Sequence, residues 1–243
     1  NTRYVNDLSA GQTLIYDNQV SPAGSVAFGT AGDDAWTDRG NAAASTTADG
    51  RSNDSVFTLV ASGLDEAGAG AAVQWQVKVP AATSYVSAGF SGVTLSGEGS
   101  PALAVTLGAQ GAYSFRAVVT DSAGNTAYVG NDAVGKTLVY DTEVSAGALL
   151  LQGYSDYGNA QAGSTADRRS NDSVFSLVAS ELEADTTVQW EVKRGSESWS
   201  SDFTGLGATL GGGQSNVLGV TLGDTGDWAF RALVTDSAGN TRY

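Results

Sequence analysis

Short segments in which apolar and polar residues alternate recur along the chain. Their apolar positions are rich in β-branched and aromatic residues, and Gly, Ser and Asp separate one segment from the next. Alternation with a period of two is typical of strands with one buried face, and no segment carries the 3.6-residue apolar period of an amphipathic helix. The clearest predicted strands are residues 56–60, 73–77, 103–107 and 113–120. Many short strands separated by turn residues predict an all-β protein built from antiparallel β-sandwiches.

Several sequence segments occur twice, almost unchanged and in the same order. They pair residues 51–57 with 169–175, 73–78 with 188–193, 115–126 with 230–241, and 13–17 with 137–141. Repetition on this scale predicts two tandem domains, over residues 17–140 and 141–243. Residues 1–16 then correspond to the end of a preceding repeat, a partial strand G. Because residues 1–4 are identical to residues 240–243, we expect the sequence to be a window of a longer tandem array.

Aromatic residues indicate how each domain is built. Trp75 and Trp190 lie in the middle of the third predicted strand of each copy, where an immunoglobulin-like sandwich places its core tryptophan. Residues 224–230 look like the tyrosine-corner pattern of that fold, with Trp228 in place of the tyrosine, and Tyr113 takes this position in the first copy. We therefore expect two immunoglobulin-like domains in which these aromatic side chains are core and corner residues.

Composition narrows the chemistry that the protein can use. The chain has no Cys, His or Met, which excludes disulfides, thiol and imidazole nucleophiles, and the usual ligands of zinc, copper and haem iron. Its net charge of −14 repels nucleic acid and anionic membranes, so we expect neither as a partner. No run approaches the ~20 apolar residues of a membrane span. Carboxylates without imidazoles favour a hard cation such as calcium, which takes about six to eight oxygen ligands.

Together these phrases resemble the bacterial immunoglobulin-like (Big-type) extender repeats of giant secreted, RTX-type adhesins. The marks of the resemblance are the phrase Thr-Asp-Ser-Ala-Gly-Asn-Thr at 120–126 and 235–241, the strand that ends in Tyr140-Asp141-Thr142, the strand 190–193 followed by Trp199, and the Asp-rich segments 49–54 and 167–172. The resemblance implies a secreted or cell-surface protein of a biofilm fibre. It also implies that each repeat is a rigid bead that holds an adhesive tip away from the cell, with calcium at the joints.

Acidic residues recur at five equivalent positions of the two copies. The pairs are Asp17 with Asp141, Asp49 with Asp167, Asp54 with Asp172, Asp65 with Glu183, and Asp121 with Asp236. In a sandwich, the start of strand A and the B–C and F–G loops share one end. We therefore expect Asp141, Glu183 and Asp236 at one end of the second domain, facing Asp49 and Asp54 of the first.

Carboxylates crowded at a joint repel one another unless a cation bridges them, so this arrangement predicts a calcium site. Asp17, Asp65 and Asp121 would form half of an equivalent site. Three alternative roles stay open for these acids. They could cap turns through their own backbone, keep the protein soluble, or form ion pairs with Arg51 and Arg169, which lie inside the acidic segments.

Three functions compete on these grounds. The first is a structural extender of an adhesin or extracellular fibre, whose partners are neighbouring repeats or like chains and whose other domains would hold a glycan or surface ligand. The second is a subunit of a head-to-tail filament in which residues 1–16 of one chain complete the sheet of the next. The third is a carbohydrate-binding module that uses Trp36, Trp199, Tyr154 and Tyr157. We do not expect an enzyme, because the recurring acids lie on predicted turns and no apolar pocket is implied.

Overall fold

The fold is described from a computed structural model, which describes residues 16–20, 23–29, 36–38, 40–45, 48–64, 72–87, 91–97, 99–131, 133–145, 147–155, 168–204, 207–212 and 215–243. The strands are β1 Ala23–Phe28, β2 Arg51–Ser52, β3 Val56–Leu64, β4 Ala72–Lys78, β5 Val93–Ser96, β6 Ala102–Leu107, β7 Gly111–Thr120, β8 Thr126–Tyr128, β9 Lys136–Tyr140, β10 Ala148–Gln152, β11 Val174–Ser180, β12 Thr187–Arg194, β13 Ala208–Gly211, β14 Val217–Leu222, β15 Trp228–Thr235 and β16 Thr241–Arg242. Short 3-10 helices cover Ala42–Ala44 and Val129–Asn131. Within these ranges, the protein has no helix that is both long and apolar enough to cross a membrane.

The chain forms two compact units, each assembled from separate stretches of sequence. The first unit comprises Asn1–Trp36, Val56–Gly108 and Tyr113–Thr137, and the second comprises Thr37–Ser55, Ala109–Ala112 and Leu138–Tyr243. The domain limits at residues 140 and 141 that the repeat suggests stay a prediction.

The first unit contains a four-stranded antiparallel sheet in the order β1-β3-β6-β5, and β7 pairs with β4 and with β8. Alternate residues of these strands face inward, because side chains of a strand point to opposite faces in turn. Trp75 on β4 is fully buried, and its indole N–H donates to the Ser100 carbonyl at 2.8 Å. Phe57 on β3 and Phe115 on β7 meet edge to face with their ring centroids 5.8 Å apart. Both sets of strands therefore share one sandwich-like core.

The second unit repeats this plan. Its sheets have the orders β10-β11-β14-β13 and β12-β15-β16. Trp190 on β12 is fully buried and donates to the Ser215 carbonyl at 2.8 Å. Phe175 on β11 and Phe230 on β15 again meet edge to face, at 5.8 Å. The segment Thr37–Ser55 adds β2, which pairs in parallel with β9 through Arg51 and Val139.

The expected strands and core tryptophans are confirmed. The four predicted segments lie in β3, β4, β6 and β7, and both tryptophans are 0% exposed. The corner residues behave differently in the two copies. The Trp228 indole donates to the carbonyl of Asp224, four residues upstream, at 3.3 Å, whereas the Tyr113 hydroxyl donates to the more distant Gly92 carbonyl at 2.9 Å. The Tyr113 bond ties β7 to the segment before β5.

Adjacent residues of β14 provide a test of this core. Leu218 is 0% exposed and Val217 is 41% exposed. We expect Leu218→Ala to lower the free energy of unfolding of the second unit by about 2–5 kcal/mol, because it leaves a cavity between the sheets. Val217→Ala should cost less than about 1 kcal/mol. Urea denaturation followed by tryptophan fluorescence measures both, and equal losses would contradict the alternation.

Candidate metal centre

Three carboxylates converge in the second unit. Asp141, Glu183 and Asp236 each offer one oxygen, and these oxygens lie within 4.8 Å of one another. They come from three separate parts of the unit. Asp141 follows β9 directly, Glu183 lies between β11 and β12, and Asp236 follows β15. Two of the residues directly follow a strand and Glu183 lies in a loop, and the fold brings these three positions together although they are far apart in sequence.

Asp236 is a buried carboxylate that organises the turn after β15. The residue is 0% exposed. Its Oδ1 accepts hydrogen bonds from the backbone N–H groups of Ala238 and Asn240 at 2.9 and 2.8 Å, and its Oδ2 accepts from the Asn240 side chain at 2.9 Å. The turn-capping role that the sequence left open is therefore confirmed for this residue. Since each carboxylate oxygen has two lone pairs, these bonds leave acceptor capacity for a cation.

The other two carboxylates also accept backbone hydrogen bonds. Ser145 N–H donates to Glu183 Oε1 at 2.7 Å, and Glu143 N–H donates to Asp141 Oδ1 at 3.2 Å. Asn240 adds a link, since its side-chain amide donates to the Asp141 carbonyl at 3.1 Å. The first residues of the second repeat are thereby tied to the turn after β15.

A guanidinium lies at the edge of this acidic group. Arg51 Nη1 is 3.9 Å from Asp141 Oδ2, and the two side chains are 45% and 17% exposed. At this distance and exposure the pair contributes at most about 1 kcal/mol. The ion-pair role therefore applies to Asp141, but it offsets only part of the charge of three carboxylates.

Two asparagines that the sequence analysis did not single out fix the segment Thr37–Ser55 within this unit. The side-chain amide of Asn41, which is 4% exposed, donates to Thr187 Oγ1 at 2.7 Å and to the Thr235 carbonyl at 2.9 Å. The Asn53 amide donates to Asn240 Oδ1 at 3.1 Å. No sequence signal points to Asn41, because it lies outside every repeated phrase. Asn53 recurs as Asn171 in the second copy, and this recurrence is the sequence signal that points to a structural role for it.

The remaining predicted ligands lie elsewhere or cap their own turns. Asp49 accepts from Arg51 N–H at 2.9 Å, Asp54 from Thr37 N–H at 2.9 Å, and Asp17 from Gln19 N–H at 3.2 Å. Neither Asp49 nor Asp54 belongs to the acidic group found among the described residues. Asp65 lies outside the described residues.

In the first unit, Asp121 caps its turn in the same way as Asp236 does in the second unit. It is 5% exposed, and it accepts from Ala123 N–H at 2.9 Å, from Asn125 N–H at 2.8 Å and from the Asn125 side chain at 2.8 Å. Burial raises the pKa of its carboxyl group, but the hydrogen bonds from Asn125, Ala123 and Gly124 together outweigh burial and hold the pKa below its ordinary value of 3.8. The charged form is thus the one that the turn stabilises.

The acidic group of the second unit fits a hard divalent cation. Its donors are all oxygens, from three chain segments, and their spacing of up to 4.8 Å suits ligands placed around one ion. Calcium prefers such a set because it tolerates irregular geometry and accepts carboxylates, carbonyls and water together. A soft transition metal would lack nitrogen and sulfur ligands in this chain, which has no His, Cys or Met.

The aromatic residues of the carbohydrate-binding alternative are largely engaged in packing. Trp36 stacks on Phe28 at 4.8 Å, and Tyr154 meets Phe175 edge to face at 5.7 Å. The Trp199 ring is covered by the charged ends of Lys193 and Arg231, at 5.0 and 4.5 Å. Tyr157 lies outside the described residues. The alternative stays a prediction.

Comparison of the sequence with models of protein families finds no match, and comparison with curated proteins finds none either.

The turn at Asp121 gives a pH-dependent prediction. Because its pKa in the folded state lies below 3.8, the unfolded chain binds the proton first as the pH falls. The stabilisation is complete above about pH 4 and is lost as the pH falls below 3.8 through the lower folded-state value. We expect Asp121→Asn to flatten the acid limb of the stability profile of the first unit, whereas Asp185→Asn, at an exposed position, should not. Thermal unfolding between pH 2 and 6 measures this, and parallel profiles for all three proteins would contradict it.

Proposed function

We propose that this protein is a non-catalytic extender of an extracellular fibre or cell-surface adhesin, and that calcium stiffens it at Asp141, Glu183 and Asp236. The observation that carries the proposal is the convergence of these three carboxylates within 4.8 Å at the start of the second repeat. The recurring acids Asp121 and Asp236 cap turns, which supports a structural role for them over acid-base chemistry.

An immunoglobulin-like arrangement of each unit is part of the proposal. If the strands of the second unit are lettered A to G in chain order, the two sheets have the orders A-B-E-D and C-F-G, which are those of a constant-type immunoglobulin sandwich. The first unit supports the same lettering for β1-β3-β6-β5 and for β4, β7 and β8. Such sandwiches place the start of strand A near the B–C and F–G loops, where the three carboxylates lie.

Electrostatic repulsion gives the ion its mechanical effect. Two carboxylates about 4–5 Å apart repel by about 3–4 kcal/mol at an effective dielectric constant of about 20. Three of them therefore oppose the closed arrangement of residue 141 against the loops that carry Glu183 and Asp236, and Arg51 compensates only in part. A divalent cation reverses the sign of this interaction. It would hold the segment that enters the second repeat, and so restrict how that segment moves.

A spacer needs neither a binding pocket nor a reactive side chain. It has to separate two parts of a molecule by a fixed distance, which requires folded domains, short linkers and a way of making the linkers rigid. Asp141, the first residue of the second repeat, directly follows β9, which ends at Tyr140. An extracellular setting, where calcium is abundant, would supply the ion.

Calcium titration tests the site directly. We expect calcium to bind with a dissociation constant of about 10⁻⁴–10⁻³ M, as is typical of extracellular modules, and to stabilise the second unit by about 2.7 kcal/mol at a hundredfold excess over that constant. Glu183→Gln should weaken binding by about tenfold or more, because it removes one of three charges but keeps an oxygen that can accept from Ser145 N–H.

The matched control is Glu181→Gln, which removes the same charge at an exposed position two residues away that is not part of the acidic group. Isothermal titration calorimetry and calcium-dependent melting measure both variants. Equal affinities of the two variants, or no binding to the unaltered protein at 10 mM calcium, would refute the site.

Small-angle scattering tests the mechanical role. With calcium, the distance distribution of the unaltered protein should narrow and its maximum dimension should be well defined; with a chelator, the distribution should broaden. Glu183→Gln should give the chelated profile at calcium concentrations that saturate Glu181→Gln. An identical profile with calcium and with chelator would remove calcium from the mechanical role.

A further inference from the structure

Asn240 is hydrogen-bonded through its backbone and through both ends of its side-chain amide. Its backbone N–H donates to Asp236 Oδ1 at 2.8 Å, and its backbone carbonyl accepts from Asp236 N–H at 3.0 Å. The nitrogen of its side chain donates to Asp236 Oδ2 at 2.9 Å and to the Asp141 carbonyl at 3.1 Å. The oxygen of its side chain accepts from the Asn53 amide at 3.1 Å. One residue thus connects two members of the acidic group to Asn53.

These contacts fix the direction in which the Asn240 amide points. An amide donates at its nitrogen and accepts at its oxygen, whereas a carboxylate oxygen and a backbone carbonyl only accept. A reversed amide would bring its oxygen against Asp236 Oδ2 and the Asp141 carbonyl, with no hydrogen to share among the three acceptors. The bond from Asn53 to the amide oxygen favours the observed orientation as well. Both ends of the amide therefore select the same state.

Asn53 belongs to the segment Thr37–Ser55, which has a direct contact with the acidic group too. The strand β2 of this segment pairs in parallel with β9, and Asp141 N–H donates to the Ser52 carbonyl at 3.0 Å. Arg51 brings its guanidinium to 3.9 Å from Asp141 Oδ2. The segment therefore reaches the acidic group at two points, directly through its guanidinium and indirectly through its asparagine.

The first unit contains the same turn without these outer contacts. Asn125 is the counterpart of Asn240, and its backbone N–H and its side chain each donate to Asp121 at 2.8 Å. Among the described residues, the Asn125 side chain has no hydrogen-bond partner beyond Asp121. The bonds within the turn are therefore common to both units, and the bonds that lead out of it belong to the second unit.

Burial of the turn differs between the two copies in the same sense. Ser122 and Ala123 are exposed in the first unit, whereas Ser237 and Ala238 are 6% and 0% exposed in the second. The same five residues, Asp-Ser-Ala-Gly-Asn, occupy both turns. The difference therefore comes from what packs on the turn and not from its own sequence.

Asn53 has a counterpart that lacks its role. Asn171 occupies the equivalent position of the repeated segment 169–175, and it is exposed. Its side chain makes no hydrogen bond within the part of the chain that the structure describes. The two copies thus provide a natural comparison for Asn53, just as Asn125 does for Asn240.

We propose that Asn240 is a positioning residue of the calcium site and that Asn53 sets its orientation, so that calcium binding and docking of the segment Thr37–Ser55 favour each other. The proposal presupposes the calcium site of the proposed function. Side chains that hydrogen-bond to metal ligands hold them in place, and their loss typically weakens metal affinity about 10–100-fold. Asn240 restrains Asp236 Oδ2 and the backbone of Asp141 in this way.

Thermodynamic linkage makes the coupling reciprocal. If the docked segment raises the affinity for calcium by some factor, calcium shifts the docking equilibrium of the segment by the same factor. The segment would then act as a regulator of the site, because any change that releases Asn53 lowers the affinity of carboxylates that Asn53 does not touch.

Calcium affinities of two matched pairs of variants test the proposal. Asn240→Ala should weaken calcium binding about 10–100-fold, whereas Asn125→Ala, which removes the equivalent side chain from the turn of the first unit, should leave it unchanged. Asn53→Ala should weaken binding about fivefold or more, and Asn171→Ala should not. Isothermal titration calorimetry measures all four, and only the binding that Glu183→Gln weakens is counted.

A double variant tests whether Asn53 acts through Asn240. Because the effect of Asn53 passes through the Asn240 amide, Asn53→Ala combined with Asn240→Ala should bind calcium no more weakly than Asn240→Ala alone. Losses that multiply in the double variant would overturn this route. Thermal unfolding in EDTA checks that each variant is folded at the temperature of the titration.

Hydrogen exchange measures the coupling from the other side. In the unaltered protein, saturating calcium should slow the exchange of the backbone amides of residues 50–54 about fivefold or more. In Asn240→Ala, saturated at a higher calcium concentration, the slowing should be largely lost. The equivalent residues 168–172 serve as an internal reference and should not respond.

The outcomes separate the coupling from the calcium site itself. Equal calcium affinities within either matched pair, in a protein that binds calcium, would overturn the coupling and leave the site intact. Exchange of residues 50–54 that does not respond to calcium would overturn it as well. An unaltered protein that binds no calcium would refute the proposed function and the coupling together.

Discussion

An edge-to-face contact between two phenylalanines joins the two sheets of each unit. Phe57 meets Phe115 in the first unit and Phe175 meets Phe230 in the second, in both cases at 5.8 Å. With a fully buried tryptophan beside each pair, this contact fixes the spacing of the sheets in place of the disulfide that a chain without cysteine cannot form. Because the sheets are held at that spacing, the loops at their ends converge, and the acidic group follows from the core.

In our proposal, the carboxylates at these ends serve both a turn and a cation. Asp236 is buried and accepts three hydrogen bonds from its own turn, which fix the direction of its oxygens before any ion arrives. Preorganisation of this kind lowers the cost of binding, since the ligand does not have to be ordered by the ion. Turn capping and cation binding are therefore compatible roles of the same residue. A neighbouring cation would also stabilise a buried carboxylate that only caps a turn, through electrostatic attraction.

The two units also show that nearly the same strand can be in two different environments. Phe115 and Phe230 occupy equivalent positions, yet only Phe115 is fully buried. In the first unit the chain passes close along β7 at Gly135, where a Cβ atom would collide with the Phe115 carbonyl oxygen.

The pattern of residues along the chain was enough to predict β3, β4, β6 and β7, the buried Trp75 and Trp190, and the recurrence of acidic residues in the two copies, because period-two alternation and internal repetition are visible without knowledge of any long-range contact. It also singled out Asp141, Glu183 and Asp236. The three-dimensional fold was needed to show that these three meet, that Asp49 and Asp54 accept hydrogen bonds from backbone N–H groups of the segment Thr37–Ser55, and that Asn41 ties this segment to the strands of the second unit. Those outcomes depend on which loops meet at a sheet end and on how each side chain satisfies its hydrogen bonds, and neither is encoded in the order of residues along one strand.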